Sequence, residues 1–265
     1  MNETLLVKLL GSPATLIHGD AGVPDRWLWL RRRLPRTSNG DKAIDIGCGS
    51  GAFSIGAALR GYTVLGLSWS ERNQVVASDR ARMCKARSAS FEVLDVRHLN
   101  RRHDLLSQYD VAICCETIEH IFDDKKLVCD IAACLRPGGR LLLTTPYHYY
   151  RPITAGDQGP FSTVEDGGHV RRGYSAVMLE ELCDLAGLVV EEISYCTGVV
   201  SQRLIRLQRQ LSTVHPLFAW AVVFPLRILP PVLDGLLTSL LRQPRFSICI
   251  EAYKPRYAVP IAKRS

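Results

Sequence analysis

Asp45-Ile46-Gly47-Cys48-Gly49-Ser50-Gly51 joins a short apolar run, Ala43–Ile46, to an amphipathic segment that begins at Ala52. Glycines at alternate positions let a backbone turn sharply and come close to a ligand. A helix starting just beyond presents free N–H groups and the positive end of its dipole. The unit therefore reads as the ligand-binding turn of an α/β protein. Its third glycine comes one residue too early for the dinucleotide fingerprint, which argues against NAD and FAD. It also lacks the Lys-Ser/Thr ending of a phosphate-binding loop.

Outward from this turn, short apolar runs alternate with amphipathic segments, the pattern of βαβ units around a parallel sheet. Strands are predicted at about 43–46, 63–67, 90–94, 110–115 and 140–144. Two more follow at 188–195 and 246–253. Helices are predicted at 25–34 (Trp27, Leu28, Leu30 and Leu34 on one side), 52–60, 71–87, 124–135 and from Ser175 to Gly187. Asp123 and Ser175 suit N-caps, and Gly61 suits a C-terminal cap. Pro137-Gly138-Gly139 is expected to stop the helix before it. A loop over 145–173 is long for a compact domain, which points to a functional segment.

The 265 residues carry 33 Lys and Arg against 26 Asp and Glu, a net charge of +7. That balance suits an anionic partner. The basic clusters are short and not interleaved with aromatics, so nucleic acid is the less favoured one. The nine cysteines form no C-x-x-C pair, and without a charged region followed by a long apolar stretch at the N-terminus secretion is not expected. They are expected to be buried, reduced thiols in a cytoplasmic protein.

Four stretches carry a family resemblance. They are the turn itself, Phe91-Glu92-Val93-Leu94-Asp95-Val96, the span from Tyr109-Asp110-Val111 to Cys115-Glu116-Thr117-Ile118-Glu119-His120-Ile121, and Leu135-Arg136-Pro137-Gly138-Gly139-Arg140-Leu141-Leu142-Leu143. In this order and spacing the chain resembles the Rossmann-like S-adenosylmethionine-dependent methyltransferases, in particular the branch acting on quinones, lipids and other small molecules. The resemblance implies an α/β fold with a mainly parallel seven-stranded sheet, helices on both faces, and S-adenosylmethionine as cofactor. It places Gly47, Cys48, Gly49 and Gly51 at the methionine end, with Asp45 orienting the turn. Asp95 would accept from the adenine amino group and the Val96 backbone would read the ring edge. Cys115 and Glu116 would flank the methionine moiety. The second strand departs from the common pattern, since Ser68-Trp69-Ser70 stands where an acid usually holds the ribose. Cyclopropane-fatty-acid synthases and tocopherol-type C-methyltransferases are similar there. Asn73 or Gln74, helped by Ser68, would supply the ribose contact, and Trp69 would pack on the adenine or in the fold.

Methyl transfer needs alignment first, and a base only where the acceptor holds its proton. His169 and His148 are the candidate bases, because ligands of open α/β sheets lie beyond the strands' carboxyl ends. His120 reads as a structural residue, and no metal site is expected. Arg151, Arg171 and Arg172 are placed to meet an anionic group on the acceptor.

The chain divides into a methyltransferase domain, 1–197 with 245–265, and a hydrophobic helical insertion, 198–244. Pro216–Leu226 and Ile228–Leu233 are apolar, but Pro225, Pro230, Pro231 and Arg227 argue against a spanning helix. A lid over an apolar acceptor, a peripheral membrane contact through 216–242, and a homodimer interface all fit. The chemistry expected is O-methylation, less readily C- or N-methylation, of a natural product, quinone precursor or glycolipid. Nucleic-acid methylation and a catalytically silent cofactor-binding partner are the alternatives; Cys115-Glu116-Thr117-Ile118 stands where an Asn/Asp-Pro-Pro-Tyr-like box would mark the first.

Overall fold

A computed structural model describes residues 7–8, 11–17 and 21–257. Residues 1–6, 9–10, 18–20 and 258–265, which belong to the expected domain segments, lie outside the described residues. The strands are β1 Lys42–Ile46, β2 Thr63–Ser68, β3 Ala89–Val93, β4 Tyr109–Cys115, β5 Leu135–Pro146, β6 Val189–Cys196 and β7 Ser247–Tyr253. They form one sheet in the order β3-β2-β1-β4-β5-β7-β6. β1 to β5 pair in parallel, and β7 lies antiparallel to both β5 and β6. This is the Rossmann-like methyltransferase fold that the resemblance implies.

The helices are α1 Pro13–Ile17, α2 Val23–Arg33, α3 Ala52–Ala58, α4 Glu71–Met83, α5 Asp124–Cys134, α6 Ala176–Leu185, α7 Val199–Ser212, α8 Pro216–Leu226 and α9 Pro230–Leu240. Strand side chains alternate between faces, and both faces are covered. Ile44, Ile46, Leu65, Leu67, Ala112 and Cys114 pack with Leu127 and Ile131 of α5 and Leu179 of α6. Their neighbours Ala43, Val64, Val111 and Ile113 pack on the other face with Leu30 of α2, Ile55 of α3 and Ala81 of α4.

Four local expectations change. α5 stops at Cys134, before Pro137-Gly138-Gly139, but the next strand begins at Leu135 rather than about 140, so these residues lie within β5, where the pairing with β4 shifts register between Tyr109 and Val111. α4 ends at Met83, since Lys85 turns to a positive φ of 57°. On α2, Trp29 joins Leu30 and Leu34 in the core, while Trp27 stacks on Phe53. All nine cysteines are free, and Cys129 is exposed rather than buried.

Candidate active site

The turn after β1 is fixed from three sides. The Cys48 N–H donates to Leu67 O of β2 at 2.8 Å. Asp45, buried at the end of β1, accepts from Ser54 Oγ at 2.6 Å. Burial pushes its carboxyl up to about 6. The buried Arg80 of α4 reaches back to Ser50 Oγ at 2.5 Å.

The three glycines face different surroundings. A Cβ on Gly47 would meet Thr117 Oγ1 at 2.3 Å, and one on Gly51 would meet Ala77 Cβ at 2.8 Å and Phe91 Cε1 at 2.9 Å. Gly49, at φ +51°, has nothing within 4 Å of such an atom. Its bare face opens onto a cleft of about 210 Å³ at the carboxyl ends of the strands.

Gly47, Gly49, Ser68, Trp69, Asn73, Asp95, Val96 and Glu116 line that cleft. The structure thus brings together eight of the residues singled out in the sequence. Cys48, Gly51, Asp45 and Cys115 stand behind its wall. Gln74 does too: its buried Nε2 donates to Gly66 O at 3.3 Å and to Glu92 O, tying α4 to the sheet. Of the two candidate amides, Asn73 is therefore the one free to meet a ligand. Ser68 Oγ accepts from the Ser70 N–H at 3.3 Å, which leaves its own proton to donate.

Asp95 caps the 3-10 turn Val96–Arg101 and holds the Arg97 Nε on both carboxylate oxygens, at 2.9 Å each. These hydrogen bonds hold its carboxyl below the usual range. Arg97 also pairs with Glu165 at 2.7 Å, and Glu165 accepts from the Phe122 N–H at 2.6 Å. The loop after β5 is thereby drawn across the cleft, where Glu165 and Gly167 join the lining. Neither Arg97 nor Glu165 stood out in the sequence, because their link depends on where that loop folds.

The far end of the cleft differs from expectation. His120, not His148, is on its wall. His120 Nδ1 lies 3.0 Å from Gly168 O; a proton on Nδ1 leaves Nε2 as an acceptor. Nε2 is 3.9 Å from Oε1 of Glu119. Glu119 is fully buried; its Oε2 accepts from Thr145 Oγ1 at 3.0 Å, and its Oε1 has no hydrogen-bond partner. Burial, then the neighbouring Glu116, pushes this carboxyl far up. His169 packs edge-on against His120, ring centres 4.7 Å apart. Burial, then the neighbouring His120 and Arg209, lowers its imidazole to about 4. That makes His169 a poor base near neutrality.

Glu119, His120 and His169 bring three ligand atoms within 4.8 Å of one another, so this cluster can hold a metal ion where none was expected. The cue in the sequence was adjacent Glu119-His120; the third member comes from a loop. Arg171 donates to Ile121 O at 2.6 Å and pairs with Asp124, and Arg172 donates to Tyr150 O at 3.0 Å. Both are committed to holding the loop, not turned to an acceptor. His148 lies outside the cleft, packed edge-on to Tyr149.

Glu116, at the end of β4, takes a positive φ of 49° and pairs with the buried Arg26 of α2 at 3.1 Å. The methyltransferase domain family matches residues 23–193. The chain belongs to this family. Ubiquinone biosynthesis O-methyltransferase of Marinobacter nauticus is 33% identical over 106 residues, 40% of this chain and 44% of that one. The Aeromonas salmonicida enzyme of the same name is 31% identical over 162 residues, 58% of this chain and 66% of that one. The chain thus spans roughly half to two thirds of the length of these relatives. Among solved structures it is similar to phosphoethanolamine N-methyltransferase 2 of Haemonchus contortus bound to S-adenosylmethionine (TM-score 0.63, 18% identity, 96% of this chain and 60% of that one). It is also similar to the cyclase SpnF (TM-score 0.60, 17% identity, 90% and 86%). A fold shared with a cyclase does not fix the reaction. S-adenosylmethionine is the cofactor that family membership implies, and the cleft fits it. The open face of Gly49 leaves room for close approach, and Ser68, Asn73 and Asp95 offer polar groups along one wall.

Proposed function

We propose that this chain transfers a methyl group from S-adenosylmethionine to an oxygen of a lipophilic small molecule, such as a quinone precursor. The single observation that carries this reading is His120 Nε2, set on the wall of the cofactor cleft and backed by the buried Oε1 of Glu119. The relatives' name, ubiquinone biosynthesis O-methyltransferase, agrees with an oxygen acceptor.

The cofactor supplies an electrophilic methyl, so the chain's residues must align the acceptor and remove its proton. His120 Nε2 takes that proton, because Nδ1 is committed to Gly168 O. Glu119 Oε1, 3.9 Å away, is the polar atom that stands beside the imidazolium formed. Glu165 and Gly167, on the loop across the cleft, limit access of water.

The 4.8 Å cluster of Glu119, His120 and His169 favours a second reading, in which a bound divalent cation lowers the acceptor's pKa. The test is methyl transfer from labelled S-adenosylmethionine to lipophilic phenols, with and without EDTA. His120→Ala should lower turnover about 10²–10⁴-fold with S-adenosylhomocysteine affinity kept. Loss of activity in EDTA, restored by a divalent cation, would select the metal reading. Intact cofactor binding with no transfer to any phenol would refute O-methylation.

A further inference from the structure

α9 is inside out. Its buried residues are Pro230, Asp234 and Thr238. The apolar side chains at the same helical spacing, Val232, Leu236 and Leu240, are 75%, 69% and 72% exposed. A helix of a water-facing surface shows the reverse.

The inward polar groups have a clear task. Asp234 accepts from the Gly198 N–H at 2.9 Å and the Val200 N–H at 2.6 Å, and Thr238 Oγ1 accepts from the Val199 N–H at 2.8 Å. These are the free donors at the start of α7. Satisfying them fixes the rotation of α9 and turns its leucines outward. Ile228 and Leu229 at the α8–α9 corner, and Leu217 and Phe218 of α8, are exposed as well. α8 and α9 meet at 80°, and among the described residues no single helix is long and apolar enough to cross a membrane.

Charge surrounds this apolar edge. Residues 198–245 hold Arg203, Arg206, Arg209, Arg227, Arg242 and Arg245 against one acid, the buried Asp234. Six positive charges less one leave five of the chain's net +7 in this segment. Arg203 and Arg206 share a groove with Arg151 of the loop after β5. Arg209 pairs with Asp157 of the loop after β5 at 2.8 Å.

We propose that the α8–α9 corner docks onto a bilayer carrying anionic headgroups. The leucines enter the headgroup–acyl boundary, and the arginines, Arg151 included, meet the phosphates. A second copy of the chain is the poorer occupant, since it would bring two such basic rims together.

The test is co-sedimentation of the full chain with phosphatidylcholine vesicles, with and without a quarter of phosphatidylglycerol. We expect binding to the anionic vesicles only, weakened by high salt. Leu236→Asp with Leu240→Asp should reduce it at least tenfold at an unchanged melting temperature. Arg203→Gln with Arg206→Gln, on exposed positions that leave folding intact, should reduce it about 25-fold at low salt, roughly fivefold for each arginine. Wild type left in the supernatant would overturn the proposal, as would leucine and arginine variants that bind like wild type. A dimer in light scattering that the leucine pair splits to monomers would also overturn it and assign the face to a second copy.

Discussion

The three glycines of the turn can be separated by experiment, because the structure gives each a different neighbour. In Gly49→Ala the new methyl touches no protein atom within 4 Å. Its cost to folding is the left-handed backbone at φ +51°, about 1–2 kcal/mol for an alanine. At roughly 2–4 °C per kcal/mol, the melting temperature of the ligand-free chain should fall only a few degrees. The same methyl projects into the cleft, so S-adenosylhomocysteine affinity should drop at least about tenfold, or 1.4 kcal/mol. Gly51→Ala should do the opposite. Its methyl would sit 2.8 Å from Ala77 Cβ and 2.9 Å from Phe91 Cε1, and overpacking of that kind adds about 1–3 kcal/mol to the backbone cost. Stability should fall more, with a smaller change in affinity among folded molecules. Calorimetric titration and thermal unfolding of both variants supply the comparison. Wild-type affinity in Gly49→Ala would refute the assignment of this turn to the cofactor.

Two further predictions concern titration. Burial raises the Asp25 carboxyl to about 6, above its unfolded value, so the folded state holds this proton more tightly. Its contribution to stability is therefore present below pH 4 and lost as pH rises through 6. The loss is on the order of 3 kcal/mol, from about two pKa steps, and Asp25→Asn should flatten that part of the stability profile in denaturant titrations. His169, lowered to about 4, is neutral at pH 7. His169→Asn should therefore leave kcat at pH 7 close to wild type, whereas His120→Gln should lower it; the reverse result would return the base role to His169.

Most of the sheet was legible because strand period and apolar runs report burial directly. The cofactor side was legible too, since glycine spacing and the order of Asp45, Asp95 and Glu116 are set by strand ends. What failed were orientations decided by tertiary neighbours. Asn73 and Gln74 are adjacent on one helix, yet only Gln74 turns under β2 and β3. His120 looked structural because its partner, Gly168 O, lies in a loop 48 residues away. The insertion's hydrophobicity was plain, but its polarity was not. Nothing in the sequence shows that Asp234 and Thr238 face inward until the N-terminus of α7 is placed against them.

The sheet topology then joins the insertion to the chemistry. β6 runs parallel to β5 because both are antiparallel to β7. It must end at the edge where β1 and β4 end, and β7 must start there. Anything inserted between β6 and β7 therefore emerges on the cofactor side of the molecule. α2 bridges the two with consecutive residues. Arg26 pairs with Glu116 of the cleft, while the Asp25 carboxyl lies beside Ser201 of α7 and Asp234 of α9. A shift of α7–α9 on docking would act first on Asp25, and through the same helical turn on the strained Glu116. The inside-out helix and the cleft are thus two ends of one chain of contacts, on the side from which a lipophilic acceptor would approach.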